Sequence, residues 1–115
     1  MTFPSGVAKM TVTGQNIVDS GGNPLQGVVV FDMGTPEFSA GATPPTVFEN
    51  PVMAEVRSGV MDTITIPDSV HAFAAPFTYV ITVRFEGRDE IRYPGIAISI
   101  DTYASGTVDI AQLLL

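Results

Sequence analysis

The sequence predicts an all-β domain, a single antiparallel β-sandwich of about seven strands. Three observations predict it. Apolar residues recur at every second position in several runs, and no stretch carries a clear helical period. Clusters of Gly, Pro, Asn and Asp separate those runs at sandwich-like spacing. With 115 residues and 45% apolar content, the chain can build one core but not two, so residues 1–115 read as one domain.

The elements follow in chain order. Ala8-Lys-Met-Thr-Val-Thr-Gly14 places Ala8, Met10 and Val12 on one face of a first strand. Asp19-Ser-Gly-Gly-Asn-Pro-Leu-Gln-Gly27 is a tight turn clamped between strand-like runs. Gly21 and Gly22 can take positive φ, Asp19 and Asn23 can cap turn amides, Pro24 fixes φ, and Leu25 can tuck onto the core. Val28 to Met33 is almost continuously apolar, as in a central strand buried on both faces. Gly34 to Pro45 reads as a long loop. Thr46 to Val56 reads as a strand interrupted at Pro51, hence an edge strand or a bulged one.

Val60 to Ile66 alternates Asp62, Ile64 and Ile66 against Met61, Thr63 and Thr65. Pro67 to Pro76 is a second loop, with one helical turn expected at Val70 to Ala74. The strongest strand is Phe77 to Phe85, with Phe77, Tyr79, Ile81, Val83 and Phe85 on one face. Glu86 to Glu90 is a hairpin turn. The return strand runs from Ile91 to Ile100 with a kink at Pro94-Gly95, and Ile96, Ile98 and Ile100 are expected to point inward. Thr107 to Ile110 is a short final strand.

Composition narrows the function classes. The chain has five basic and twelve acidic side chains and a formal charge of −7, which disfavours nucleic acid and anionic membrane as partners. Its charged fraction of 15% is low, so much of the surface is expected to be neutral or covered by partners. It has no cysteine, which removes disulfides and Cys-based zinc sites and favours assembly in a reducing cytoplasm. No signal-peptide pattern and no membrane-length apolar run is visible. The expectation is a soluble protein made in the cytoplasm, although a piece of a longer secreted protein would read the same.

Candidate chemistry is sparse. His71 is the only histidine, and no serine sits in a Gly-x-Ser-x-Gly elbow. A lone base or pH switch at His71 therefore weighs less than a loop residue beside Phe73. The carboxylates are scattered, and a sandwich this small is expected to lack a deep cleft for a glycosidase pair. A calcium site could form at the Asp19/Asn23 turn or at Asp89-Glu90, but neither matches a calcium-loop motif, and turn capping explains them more simply. Arg84, Arg88 and Arg92 crowd the hairpin with Glu86, Asp89 and Glu90, which reads first as an ion-pair lattice and second as a docking patch. No catalytic, metal or cofactor-binding residue is expected.

Two loop aromatics, Phe38 and Phe73, lie outside the alternating strands. They either form a binding surface, on a sugar ring or a protein, or fold over an open end of the domain. The ending Ile110-Ala-Gln-Leu-Leu-Leu115 is apolar. Leu113, Leu114 and Leu115 either dock on their own domain or form a subunit interface.

Three stretches carry a resemblance. The turn at Asp19 to Gly27 resembles the first-hairpin signature of prealbumin-like sandwich domains, related to the Ig-like architecture. Phe77-Thr-Tyr-Val-Ile-Thr-Val-Arg-Phe-Glu-Gly87 resembles a "W-T-Y-x-V-T-x-x-L-x-G" strand of small β-domain proteins encoded among tail genes of phages infecting actinobacteria. Gly106-Thr-Val-Asp-Ile-Ala-Gln-Leu113 resembles the "G-T-V-D-L-A-D-L" ending of the same proteins. Phe77 stands where those proteins carry Trp, and residues 34–45 match no motif. The resemblance implies a non-enzymatic virion structural protein, most simply a minor tail component. Such a protein is assembled in the host cytoplasm, contacts other virion proteins, forms a homo-oligomer and needs no cofactor. A carbohydrate- or receptor-binding module taking host cell-wall glycan, and a capsid decoration protein, are the alternatives.

Overall fold

The structure, a computed structural model, describes residues 3–114. The strands are β1 (Lys9–Gly14), β2 (Gly27–Asp32), β3 (Glu37–Ser39), β4 (Thr46–Phe48), β5 (Val52–Arg57), β6 (Val60–Pro67), β7 (Tyr79–Phe85), β8 (Ile91–Ile96) and β9 (Thr107–Asp109), followed by one helical turn, α1 (Ile110–Leu113). Seven strands join in one curled sheet in the order β8-β7-β2-β5-β6-β1-β9, and β3 pairs with β4 apart from it. The chain is all-β, as its alternation predicts.

Alternation also predicts the faces well. Met10 and Val12 of β1 are fully buried, as are Tyr79 and Ile81 of β7, with Val83 nearly so. β2 lies between β5 and β7 and is buried over Val29, Val30 and Phe31. One core gathers Met10, Val12, Ile66 and Val108 from one end of the sheet against Val29, Phe31, Ala54, Tyr79 and Ile81 from the other.

The pairing differs from the expectation in several places. The sheet is not antiparallel throughout, because β9 runs parallel to β1, from Thr11↔Thr107 to Thr13↔Asp109. Residues 97–106 carry the chain from β8 at one edge of the sheet to β9 beside β1 at the other. The turn at Asp19 to Gly27 closes only a local antiparallel bridge, Val18↔Pro24, and does not join β1 to β2 as a hairpin. β1 pairs with β6 and β9, while β2 pairs with β5 and β7. The turn instead wraps the β5–β6 turn: Ile17 N–H donates to the Gly59 carbonyl at 2.9 Å, and Gly59 N–H donates to the Leu25 carbonyl at 2.9 Å.

The stretch Thr46 to Val56 is two strands rather than one interrupted edge strand. Glu49 to Pro51 break it, and β4 joins the small sheet while β5 enters the large one between β2 and β6. The predicted loop at Gly34 to Pro45 contains β3. In β6, both Met61 and Ile66 are buried although they belong to opposite parities. A bulge explains it: Val12 faces Ile64 but Gly14 faces Met61, so β6 spends one extra residue and resets its face. A second bulge at Pro94-Gly95, opposite Val80, realises the predicted kink. β8 ends at Ile96, and although Ile98 is buried as expected, Ile100 is 46% exposed. The hydrogen-bonded turn at the second loop closes earlier than expected, with Ala72 N–H donating to the Asp68 carbonyl at 3.0 Å.

The C-terminal stretch also changes character. The last strand stops at Asp109, which caps α1. Its carboxylate accepts from Ala111 N–H at 3.0 Å, and the Gln112 side chain accepts from Asp109 N–H at 3.1 Å. This reciprocal capping box contributes about 1 kcal/mol.

Candidate functional site

The molecule offers a raised hairpin with a cleft beside it and a buried polar staple beneath one loop. The hairpin is β3–β4. Its base is pinned on one side by Asn50, whose side-chain N–H donates to Asp32 at 2.7 Å and whose oxygen accepts from Met33 N–H at 2.8 Å. The Asn50 side-chain amide, then the Gly34 N–H and the Arg92 charge, hold the Asp32 carboxyl below its ordinary value. On the other side, Ser5 and Thr43 exchange backbone hydrogen bonds at 3.1 and 2.7 Å.

The two faces of this hairpin differ. Phe48 is buried and packs at 5.5 Å centroid distance on both Phe3 and Phe73. The contacts continue from Phe73 to Phe77 at 5.8 Å and from Phe77 to Tyr79 at 5.1 Å, which ties the hairpin to the main core. Phe38 pairs with Val47 across the hairpin, and the two are 62% and 58% exposed. Phe38 and Phe48 sit at opposite pleat positions. Of the two predicted loop aromatics, Phe73 therefore folds over the end of the domain while Phe38 faces solvent, and no common site joins them.

Beside the hairpin lies an open cleft of about 590 Å³, bordered by Phe3, Thr46 to Glu49, Val52, Thr63 and Thr65. A sandwich this small is expected to have little room for a deep cleft, and this one is open. It arises because β5 and β6 pair directly only at Val56↔Met61 and Arg57↔Val60 and then diverge, one along β2 and the other along β1.

The polar staple centres on Asp68, which is fully buried. One carboxylate oxygen accepts from Val70 N–H at 2.8 Å and His71 N–H at 3.0 Å, and the other accepts from Ile100 N–H at 3.0 Å. Burial pushes this carboxyl up, but the Ile100, Val70 and His71 amides and the Ser99 hydroxyl together outweigh it and leave it below its ordinary value. Ser69 extends the staple, its hydroxyl accepting from Ile98 N–H at 2.9 Å. The Tyr79 hydroxyl donates to the Pro67 carbonyl at 2.7 Å. Burial, and then the Asp68 charge, push that phenol far up, so it stays a donor.

His71 sits on the surface of the staple and meets Asp101 at 2.7 Å. The hydrogen bond to the Asp101 carboxylate, with the charges of Asp101 and Asp68, outweighs desolvation and raises the His71 pKa. Protonated His71 thus favours the folded state fully below its unfolded value near 6.5, and that contribution fades as pH rises through the higher folded value. An NMR titration should place His71 above 6.5, and Asp101→Asn should bring it back toward that value.

Several of the other charged residues act as turn caps and surface pairs. Asp19 accepts from Gly21 N–H and Asn23 N–H at 2.9 Å each and meets Arg88 at 3.2 Å. The Asn23 amide, then the Asn23 side chain, do most to hold its carboxyl below the ordinary value. Gly22, in the same turn, takes the predicted positive φ of 81°. Arg84 pairs with Glu90 at 2.6 Å, whereas Arg88 leaves the hairpin for Asp19, so the expected lattice is split. No cluster of three metal-ligating side chains occurs among the described residues. Leu113 is buried in the chain's own core and Leu114 packs against it, so these two dock on their own domain. Leu115 lies outside the described residues.

Sequence reasoning missed Asp68 and Ser69 as a unit. The local signal was present, since Asp following Pro67 and opening a turn is a capping arrangement, but its Ile98 and Ile100 partners lie about thirty residues away. It also missed the capping box written as Asp109-x-x-Gln112. Comparison with models of protein families, with curated proteins and with solved structures finds no match to this chain.

Proposed function

We propose that this chain is a non-enzymatic structural component of a virion, a minor tail protein made in the host cytoplasm. It works by association with other virion proteins and with copies of itself. The observation that carries the reading is apolar surface raised clear of the core. Phe38 and Val47 are exposed side by side on the β3–β4 hairpin, and Met53 and Val60 are 59% and 53% exposed elsewhere on the sheet. Covering such groups gains about 25 cal/mol per Å² of apolar area, a gain open only to a subunit with neighbours. The motifs at Phe77 to Gly87 and Gly106 to Leu113 add the virion tail as the setting.

The finer fold reading belongs with this proposal. The groups β8-β7-β2-β5 and β6-β1-β9 enclose one core and touch by direct pairing only at the β5–β6 turn. We read this as a prealbumin-like sandwich whose two sheets stay joined at one corner.

Purified virions should contain the chain at a fixed copy number, and Phe38→Ala should reduce its incorporation at least about fivefold while leaving its melting temperature within a few degrees. Absence from virions, or normal incorporation of the variant, would count against the reading. Labelling on the capsid instead of the tail would make it a decoration protein. One observation favours a second reading: a phenylalanine as exposed as Phe38 can stack on a sugar ring. Binding of host cell-wall glycan by the isolated domain, lost in Phe38→Ala, would favour that module.

A further inference from the structure

The two outer edges of the large sheet are guarded against pairing. β9 is three residues long, and β8 carries Pro94 at a bulge. The unguarded edge lies inside the sheet. β6 follows β1 from Met61 to Pro67, but it meets β5 only at Val60 and Met61. Beyond that point its second edge has no described strand beside it.

The direction of the backbone groups along this edge follows from the pairing. Asp68 N–H donates to the Ala8 carbonyl at 2.9 Å, so the in-phase pairs Met10↔Ile66 and Val12↔Ile64 are those that exchange hydrogen bonds. Thr65, one residue out of phase, turns its N–H and C=O away from β1. Its opposite number Thr11 agrees, donating to the Gly106 carbonyl at 2.9 Å on the far side. Across the cleft stands β4, which among the described residues pairs only with β3. Four consecutive residues, Thr46 to Glu49, border the cleft. Side chains alternate in a strand, so consecutive lining residues mean that the cleft runs along the strand's edge rather than one face.

We propose that this cleft takes an extended strand from a partner protein, hydrogen-bonded along the β6 edge and held between β6 and β4, so that the donated strand links the two sheets. Backbone donors and acceptors on a strand edge are answered in kind by another strand, and the walls at Phe3, Val47 and Val52 offer apolar seats for alternate side chains. The edge from 62 to 66 is about 16 Å long, the length of an ordinary strand. Glu49 at the cleft and the chain's charge of −7 favour a neutral or basic strand. A second copy repeats that negative charge, and its outer edges are the guarded ones, so the partner is a different protein. The inference rests on the association reading above and names the chemistry of one partner.

The test is an NMR titration of the isotope-labelled full chain with a capped heptapeptide, Lys-Val-Thr-Val-Thr-Val-Lys. Saturable shifts and slowed amide exchange are expected at Thr63, Thr65 and Thr46 to Glu49. The same peptide, N-methylated on the residues that face one strand edge, should bind at least about tenfold more weakly, which leaves the protein itself untouched. Thr65→Pro should abolish binding, and Thr65→Val should preserve it. No saturable shift at millimolar peptide, equal binding of the methylated peptide, or shifts mapping to β8 would overturn the proposal. Failure here with normal incorporation into virions would sink the cleft and leave the structural role standing. Peptide binding by a chain absent from virions would do the reverse.

Discussion

Asp68→Ala is expected to lower folding stability by about 3–5 kcal/mol, read from urea denaturation at pH 7. The carboxylate is fully buried, and it is the acceptor for the amides of Val70, His71 and Ile100. Alanine leaves those donors without a partner, whereas a surface carboxylate would leave them to water. Asp68→Asn should cost less, because its oxygen keeps part of the acceptor role while its NH₂ faces an amide. The pH dependence separates this from a packing defect. The folded carboxyl is held below its ordinary value of 3.8, so its contribution is present above that value and is lost as pH falls through the lower folded one. The acid limb of the stability curve should therefore be shallower in Asp68→Asn than in the parent. An unchanged acid limb would mean that other carboxylates govern acid unfolding.

Gly27→Ala should be at least as damaging, with a loss of about 3 kcal/mol or more or no cooperative unfolding at all. Gly27 opens β2 at the point where it pairs with Val56 of β5 and Phe85 of β7. A Cβ there would run into the Arg84 carbonyl oxygen and crowd the Phe85 backbone. Both are main-chain atoms, so no side-chain rotation relieves the clash, and β7 would have to move away from the central strand. Gly22→Ala in the same turn is the control. It too has positive φ, but its Cβ would meet nothing, so its cost should be only about 1 kcal/mol. Near-equal losses in the two variants would contradict the close approach of β2 and β7.

The site was less legible in the sequence than the strands were. Phe38 and Phe73 stood out as aromatics in loops, yet only tertiary packing places one in a cluster with Phe48 and leaves the other in solvent. The cleft was not visible at all, because it comes from the divergence of β5 and β6 beyond a single turn of pairing. His71 finds its partner at Asp101, thirty positions away, and nothing local marks that pair.

By itself, the sequence determined the all-β character, most apolar residues of the core and the positions of most turns. These follow from a two-residue period and from Gly, Pro and Asx chemistry, which act over a few neighbouring residues. It could not determine which strand lies beside which. Strands of similar composition offer the same backbone donors and acceptors, so alternation says which face is buried and not which edge is met. Tertiary structure decided the parallel entry of β9, the separation of β1 from β2, the bulge that turns Met61 inward and the docking of Leu113 on its own core. In each case the deciding term is long-range: the burial and hydrogen bonding gained when segments distant in sequence close around one core.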